Sequence, residues 1–158
     1  MIESKRIILR RFKSSDLHEL LEMLKDKKVM AYTGFREVQT DLQSKVLLDK
    51  WIEDSEVWAI VHRTEFHLVG WIMLKKTTQE YPEIGFMLSR RFWSKGLATE
   101  AAKALIQFGK ASLKVQKIVA VTDETNIPSQ RVLEKIGMKK VTLKKENNES
   151  SLFYELNL

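Results

Sequence analysis

The sequence predicts an α/β (α+β) fold, with a central, mostly antiparallel mixed sheet of six to seven strands flanked by about four helices. Three observations carry this. Leucines recur at helical spacing near the N-terminus, and apolar runs of strand character crowd residues 57–88. A strand–helix–strand unit over residues 83–121 then needs a crossover, which makes those two strands parallel neighbours.

The elements follow in order. The opening strand is expected over residues 5–12, with Ile7 and Leu9 on one face and Ile8 on the other. Ser14-Ser15-Asp16 supplies an N-cap signal for a helix carrying Leu17, Leu20, Leu21 and Leu24. Gly34 marks a loop, and a second helix covers about residues 41–54 with Leu42, Val46, Leu47 and Trp51 as its apolar side. Residues 57–61 and 68–74 read as a hairpin turning near residues 63–66, and residues 83–88 as the next strand. After a turn, a long helix over about residues 96–111 presents Ala101, Ala104, Leu105 and Phe108 to the core. Residues 117–121 form a buried strand, and residues 127–136 a helix stopped by Gly137. Two last strands, residues 139–145 and 151–157, flank the turn-rich Glu146-Asn147-Asn148-Glu149. The order is β-α-α-β-β-β-α-β-α-β-β. With two prolines, six glycines and no repeat, nothing reads as a linker, so residues 1–158 form one domain.

Composition narrows the chemistry. The absence of cysteine excludes disulfides, thiolate nucleophiles and sulfur-ligated zinc. His18, His62 and His67 lie in no metal-binding pattern, so no metal is expected. No apolar stretch is long enough to span a membrane, and the N-terminus lacks the apolar core of a signal peptide, which points to the cytoplasm. The net charge of +6 favours polyanionic partners, but the lysines are scattered; the densest group is Lys139, Lys140, Lys144 and Lys145. No nucleic-acid recognition motif accompanies them, so charge alone does not argue for a nucleic-acid partner.

The informative stretch is Trp93-Ser94-Lys95-Gly96-Leu97-Ala98-Thr99-Glu100, between a strand and a helix. A helix start offers free backbone N–H groups and the positive end of the helix dipole, which suit a phosphate. Gly96 permits a backbone conformation and a close approach that a side chain would hinder. A second cluster opens the next helix, where Asn126 stands at an N-cap position and Pro128 in the first turn. Both clusters follow strands, where ligands of open sheets collect.

Together, "EIGFML", "WSKGLATEA" and "NIPSQRVLEKIGM" resemble the GNAT superfamily of N-acetyltransferases, more closely its RimJ/RimL-like ribosomal-protein N-terminal branch. The resemblance covers nearly the whole chain, including "ESKRIILRRFKSSDLHELLEM" at the start. It implies the GNAT fold, acetyl-CoA as co-substrate and an amine acceptor: a peptide N-terminus, such as that of a ribosomal protein, or a small amine. It further implies that backbone groups of Ser94, Lys95, Gly96, Leu97, Ala98 and Thr99 cradle the pyrophosphate. Phe86, Met87 and Leu88 would pair with the pantetheine arm, Asn126 would bond its thioester end, and Arg131 or Lys135 would meet a phosphate. The family loop reads Gln/Arg-x-x-Gly-x-Gly/Ala, and Trp93 departs from its first position.

Acyl transfer to an amine needs a base, a group to stabilise the carbonyl oxygen, and protonation of the leaving thiolate. Without cysteine, direct attack by the amine is the natural route. Glu83, opening the strand of the pantetheine contacts, is the expected base, acting directly or through water; the alternative is a solvated strand-end glutamate. Asp123 and Glu124 stand in reserve, and Glu100 serves the helix start. The tyrosine acid of many family members would fall at Leu133, so Ser129 is the candidate acid by resemblance to the RimJ/RimL-like branch. In this fold the N-terminal helices wall the acceptor site; Trp51, Trp58, Trp71 and Tyr32 are possible lining, and Tyr32-Thr33-Gly34-Phe35 a segment able to close over the amine. Two other readings stay open: a polyamine or aminoglycoside acetyltransferase, and a non-catalytic acyl-CoA- or ribosome-binding module. Whether the chain is a monomer or pairs through its last strands is open too.

Overall fold

The computed structural model describes residues 1–33, 37–77, 80–146 and 149–158. Gly34 and Phe35, of the segment expected to close over the amine, and Asn147 and Asn148, of the last turn, lie outside these. The strands are β1 (Ile2–Glu3), β2 (Ile7–Arg10), β3 (Val57–His62), β4 (Leu68–Lys75), β5 (Glu83–Leu88), β6 (Lys117–Asp123), β7 (Lys139–Glu146) and β8 (Glu149–Asn157). The helices are α1 (Leu17–Lys25), α2 (Lys27–Met30), α3 (Asp41–Glu53), α4 (Leu97–Ser112) and α5 (Ile127–Lys135). The strands make one sheet in the order β1-β2-β3-β4-β5-β6-β8-β7, antiparallel except between β5 and β6.

Apolar cores lie on both faces. Trp58 and Ile60 of β3 point toward α4, while Val57, Ala59 and Val61 point toward α1–α3. This two-sided burial is why β3 reads as an unbroken apolar run. On the α4 side, Leu97, Ala101, Ala102 and Leu105 pack on Ile72, Ile84 and Ile118. On the other side, Leu20, Met23 and Leu24 of α1 and Leu48 and Trp51 of α3 share a core with Met87.

The structure corrects several expectations. The sheet has eight strands: of the opening strand expected over residues 5–12 only Ile7–Arg10 pairs, as β2, and Ile2–Glu3 ahead of it adds β1 across the Ser4 N–H···O Ile7 turn. One-turn α2 adds a helix that too few residues could announce. Asp16 stands at the N-cap of α1 but makes no side-chain cap bond to that helix. Its buried carboxylate forms a forked ion pair with Arg10 (2.7 and 2.8 Å) and closes a capping box one turn earlier by accepting the Lys13 N–H. The buried face of α3 is Ser44, Leu48 and Trp51, so Leu42 and Val46, expected inside, face solvent. Phe108 is only half-buried, meeting Trp58 edge-on.

β4 and β5 approach too closely for a side chain at Gly70: a Cβ there would sit 2.1 Å from the Met87 carbonyl oxygen and 2.8 Å from Leu88 Cα. Gly70→Ala is therefore expected to push β5 aside and cost at least about 2–3 kcal/mol, in the range of overpacked cores. Denaturant unfolding measures the loss, and an unchanged midpoint contradicts it.

Candidate functional site

Strands β5 and β6 touch at one parallel bridge, Glu83 to Val119, with the Val119 N–H donating to the Pro82 carbonyl at 3.0 Å. Beyond it they part. β5 stays tied to β4 and β6 to β8, so a wedge opens toward the strands' C-terminal ends. The Ser89 N–H donates to Val69 O at 2.9 Å, which sets the phase of the β4–β5 ladder. The alternation of such ladders then turns the N–H groups of Phe86 and Leu88 into the wedge. One of the wedge-facing carbonyls is already taken, because Trp93 Nε1 donates to Leu88 O at 2.7 Å.

At the wide end stands the start of α4. Ser94 and Gly96 both have left-handed backbones, φ 59° and 75°. Gly96 is the helix N-cap, and the first intrahelical bond is Glu100 N–H to Gly96 O. The N–H groups of Leu97, Ala98 and Thr99 thus have no acceptor within the helix, the arrangement that receives an anion. A Cβ on Gly96 would stand 3.6 Å from Arg6 Nη2, an ordinary contact, so the positive φ and not crowding by the chain is what calls for glycine there.

A clamp from the N-terminus fixes this loop. Glu100 accepts from Ser4 Oγ (2.8 Å), from the Arg6 backbone N–H (2.7 Å) and from Arg6 Nε (2.7 Å), while Arg6 Nη1 donates to Lys95 O (2.9 Å). Burial alone would raise the Glu100 pKa, but the hydrogen bonds from Arg6 and Ser4 outweigh it and hold the carboxyl below its usual range. On the other flank, Arg90 pairs with Asp26 (2.8 Å) and Arg91 with Glu19 (2.9 Å), tying the loop before α4 to α1 and α2.

Two adjoining cavities fill the wedge. The first, about 450 Å³, is lined by Phe86, Met87, Leu88, Ser94, Gly96, Leu97, Ala98, Thr99, Asn126, Ser129 and Arg131, all singled out from the sequence. Lys95 is not in its wall; the ammonium lies 5.5 Å from the Phe92 ring centroid. The second, about 320 Å³, lies toward α1–α3 and holds Glu83, Trp71 and Met73. Tyr32, Thr33, Phe86, Asn126 and Ser129 border both. Asn126 caps α5 by accepting the Ser129 N–H at 3.2 Å. Neither its side-chain amide nitrogen nor the Ser129 hydroxyl has a partner among the described residues.

Glu83 is half-buried, and among the described residues its carboxylate accepts one hydrogen bond, from Thr77 Oγ1 at 3.2 Å. Its cross-strand neighbour Lys75 pairs instead with Asp54, so among the described residues no cation neutralises Glu83. Burial therefore raises its pKa above the ordinary 4.5, the Thr77 bond offsetting this in part. Asp123 is engaged by Thr125, and Glu124 is exposed. Of the aromatics, Tyr32 and Trp71 line the cavities; Trp51 is packed between Phe12 and Trp71, and Trp58 is buried under Arg11, so neither reaches the site. Val29, Phe92 and Val132 line the first cavity without having been singled out; only tertiary packing brings them there.

A family profile described as acetyltransferase (GNAT) domain matches residues 6–139, from the clamp arginine to the start of β7. The chain belongs to the GNAT acetyltransferase family. YnaD of Bacillus subtilis, an uncharacterized N-acetyltransferase, is 33% identical over 141 residues, covering 88% of this chain and 82% of that protein. The crystal structure of a GNAT-family acetyltransferase from Bacillus anthracis superposes with a TM-score of 0.92 at 29% identity, over 99% of this chain and 97% of that one. The spermidine N(1)-acetyltransferase of Escherichia coli K12 is 24% identical over 131 residues, covering 82% of this chain and 70% of its own. The chain is thus a GNAT enzyme, an acetyltransferase, and enzymes of this family use acetyl-CoA.

Because folding lowers the Glu100 pKa, its stabilisation is present above the unfolded value near 4.5 and is lost as pH falls through the folded value. Glu100→Gln should cost about 1–2 kcal/mol at pH 7, a modest figure since Arg6 is nearly half exposed. Melting curves should show the gap to the parent protein closing as pH falls below 4.5; a gap independent of pH argues against the clamp.

Proposed function

We propose that residues 1–158 act as one domain that transfers the acetyl group of acetyl-CoA directly to a primary amine, on a protein N-terminus or a small molecule. The observation that carries this is the continuity of the wedge. Free amides at the start of α4 lead along the unpaired edge of β5 to a cavity holding an unneutralised carboxylate. In this reading the amides of residues 94–99 receive the pyrophosphate, with Lys95 contributing through its backbone alone. Phe86 and Leu88 offer N–H groups to an extended pantetheine arm, as a sheet edge takes up a strand, with Met87 beneath it. Asn126 presents its free amide nitrogen near the thioester, and Arg131, with Lys135 beside it in the cavity wall, meets a phosphate.

Glu83 would take the proton of the attacking ammonium, through a water if the amine sits at the cavity boundary. A raised pKa suits that role better than an ordinary carboxylate, because a base works best near the operating pH. The amine nitrogen then bonds the carbonyl carbon while a β5 N–H bonds the oxygen as it gains charge. The carbon–sulfur bond breaks, and Ser129 is the hydroxyl positioned to hand a proton to the thiolate, a leaving group that needs little help. The placement in the RimJ/RimL-like branch belongs to the same proposal and rests on the motifs.

The acid limb of kcat/KM should have its midpoint above 4.5, set by Glu83. Glu83→Gln should lower kcat by about a hundredfold or more and remove that limb. As folding raises this pKa, the ionised carboxylate costs stability as pH rises through 4.5, so the same variant should melt no lower than the parent at pH 7. A limb that persists in Glu83→Gln assigns the base elsewhere.

A further inference from the structure

The second cavity carries information about the acceptor. Glu83 is the only charged side chain in its described lining; Tyr32, Trp71, Met73 and Phe86 are among its apolar walls, and Thr33, Thr122, Asn126 and Ser129 are its neutral polar ones. At the Glu83 end of the β4–β5 ladder, Asp54 is committed to Lys75 and Glu56 accepts the Lys76 N–H. Glu83, Gly85 and Met87 share one face of β5, and Gly85 leaves a gap into which Met73 folds; a Cβ on Gly85 would lie 2.8 Å from Met73 Cε. The cavity floor is therefore a thioether, soft and apolar, between one carboxylate and an aromatic wall.

We propose that this cavity selects a primary monoamine borne on an apolar, preferentially aromatic, body, and rejects polyamines. The inference rests on the acetyl-transfer reading and narrows its acceptor. One carboxylate matches one ammonium. A polyamine brings further ammonium groups, and along the described lining these would be desolvated against Trp71, Met73 and Phe86 with no carboxylate to receive them. Tyr32, Trp71 and Phe86 instead line the cavity with rings that suit an apolar body, a ring contact being worth more than area alone. The net charge of +6 acts in the same sense at long range, repelling a polycation more than a monocation. The required chemistry is shared by free arylalkylamines and by the α-amine of a peptide whose first residue is bulky and apolar.

The test is CoA release by the full chain with acetyl-CoA and four acceptors: phenethylamine, the peptides Phe-Gly-Gly and Ala-Gly-Gly, and spermidine, with acetyl-CoA binding measured by calorimetry in parallel. A kcat/KM for phenethylamine or Phe-Gly-Gly at least about tenfold above both Ala-Gly-Gly and spermidine is expected. Preference between the two aromatic acceptors identifies the source, free amine or peptide. Met73→Glu, which adds a second carboxylate to the floor, should shift the ratio of kcat/KM for spermidine over phenethylamine upward by about tenfold. Spermidine or Ala-Gly-Gly equal to or ahead of the aromatic acceptors overturns the inference while leaving acetyl transfer intact. Acetyl-CoA binding with no turnover of any aromatic acceptor overturns it as well. Failure to bind acetyl-CoA at all instead removes the transfer reading on which it stands.

Discussion

Strands β5 and β6 share a single parallel bridge, at Glu83 and Val119, and the rest of the site depends on their parting. Had the two stayed paired, their backbone groups would have satisfied one another and the sheet would have no opening. Each is instead committed to its outer neighbour, β5 to β4 through six register pairs and β6 to β8 through seven. The inner edge of β5 is left with N–H groups that must find another partner, since an unpaired amide kept from water is costly. A ligand with an extended polar arm meets that need, so the gap is also a preference for what fills it.

The wedge is held open by contacts outside it. Arg6 and Ser4 grip Glu100 and the Lys95 carbonyl from the N-terminal side, and Arg90 and Arg91 grip Asp26 and Glu19 from the helical side. The loop carrying Ser94 and Gly96, both with positive φ, is thereby anchored at each end. A rigid loop has little left to lose on binding an anion, which is the physical advantage of fixing it beforehand. The same ion pairs bring α1 and α2 over the wedge, so the segment with Tyr32 and Thr33 borders both cavities.

The parts legible in the sequence were those with local causes. Gly96 before a run of small helix formers, Asn126 followed by Pro128, and Gly137 after the last helical turn each state a backbone requirement in a few residues. The bounds of β5 and the parallel crossover came from the same kind of signal. What was illegible had distant causes. Ile2–Glu3 is too short to show a period, and α2 is a single turn. On α3 the spacing puts Trp51 and Leu47 against the core but not Leu42 and Val46, whose place is taken by Ser44 and Leu48, because periodicity fixes spacing without fixing which side faces inward. Asp16 has the residue type of a cap, yet Arg10, six positions earlier, claims its carboxylate. That Lys75 would turn to Asp54 and leave Glu83 without a cation among the described residues is likewise a matter of packing.

The central claim is that acetyl-CoA occupies the wedge through backbone N–H groups. Amide hydrogen exchange with and without acetyl-CoA tests it most directly, since it reads those groups themselves. Slowed exchange at Phe86, Leu88, Leu97, Ala98 and Thr99, with the β7–β8 hairpin unchanged, is the expected result. Saturating acetyl-CoA that leaves these amides unprotected, or protects a different surface, contradicts it.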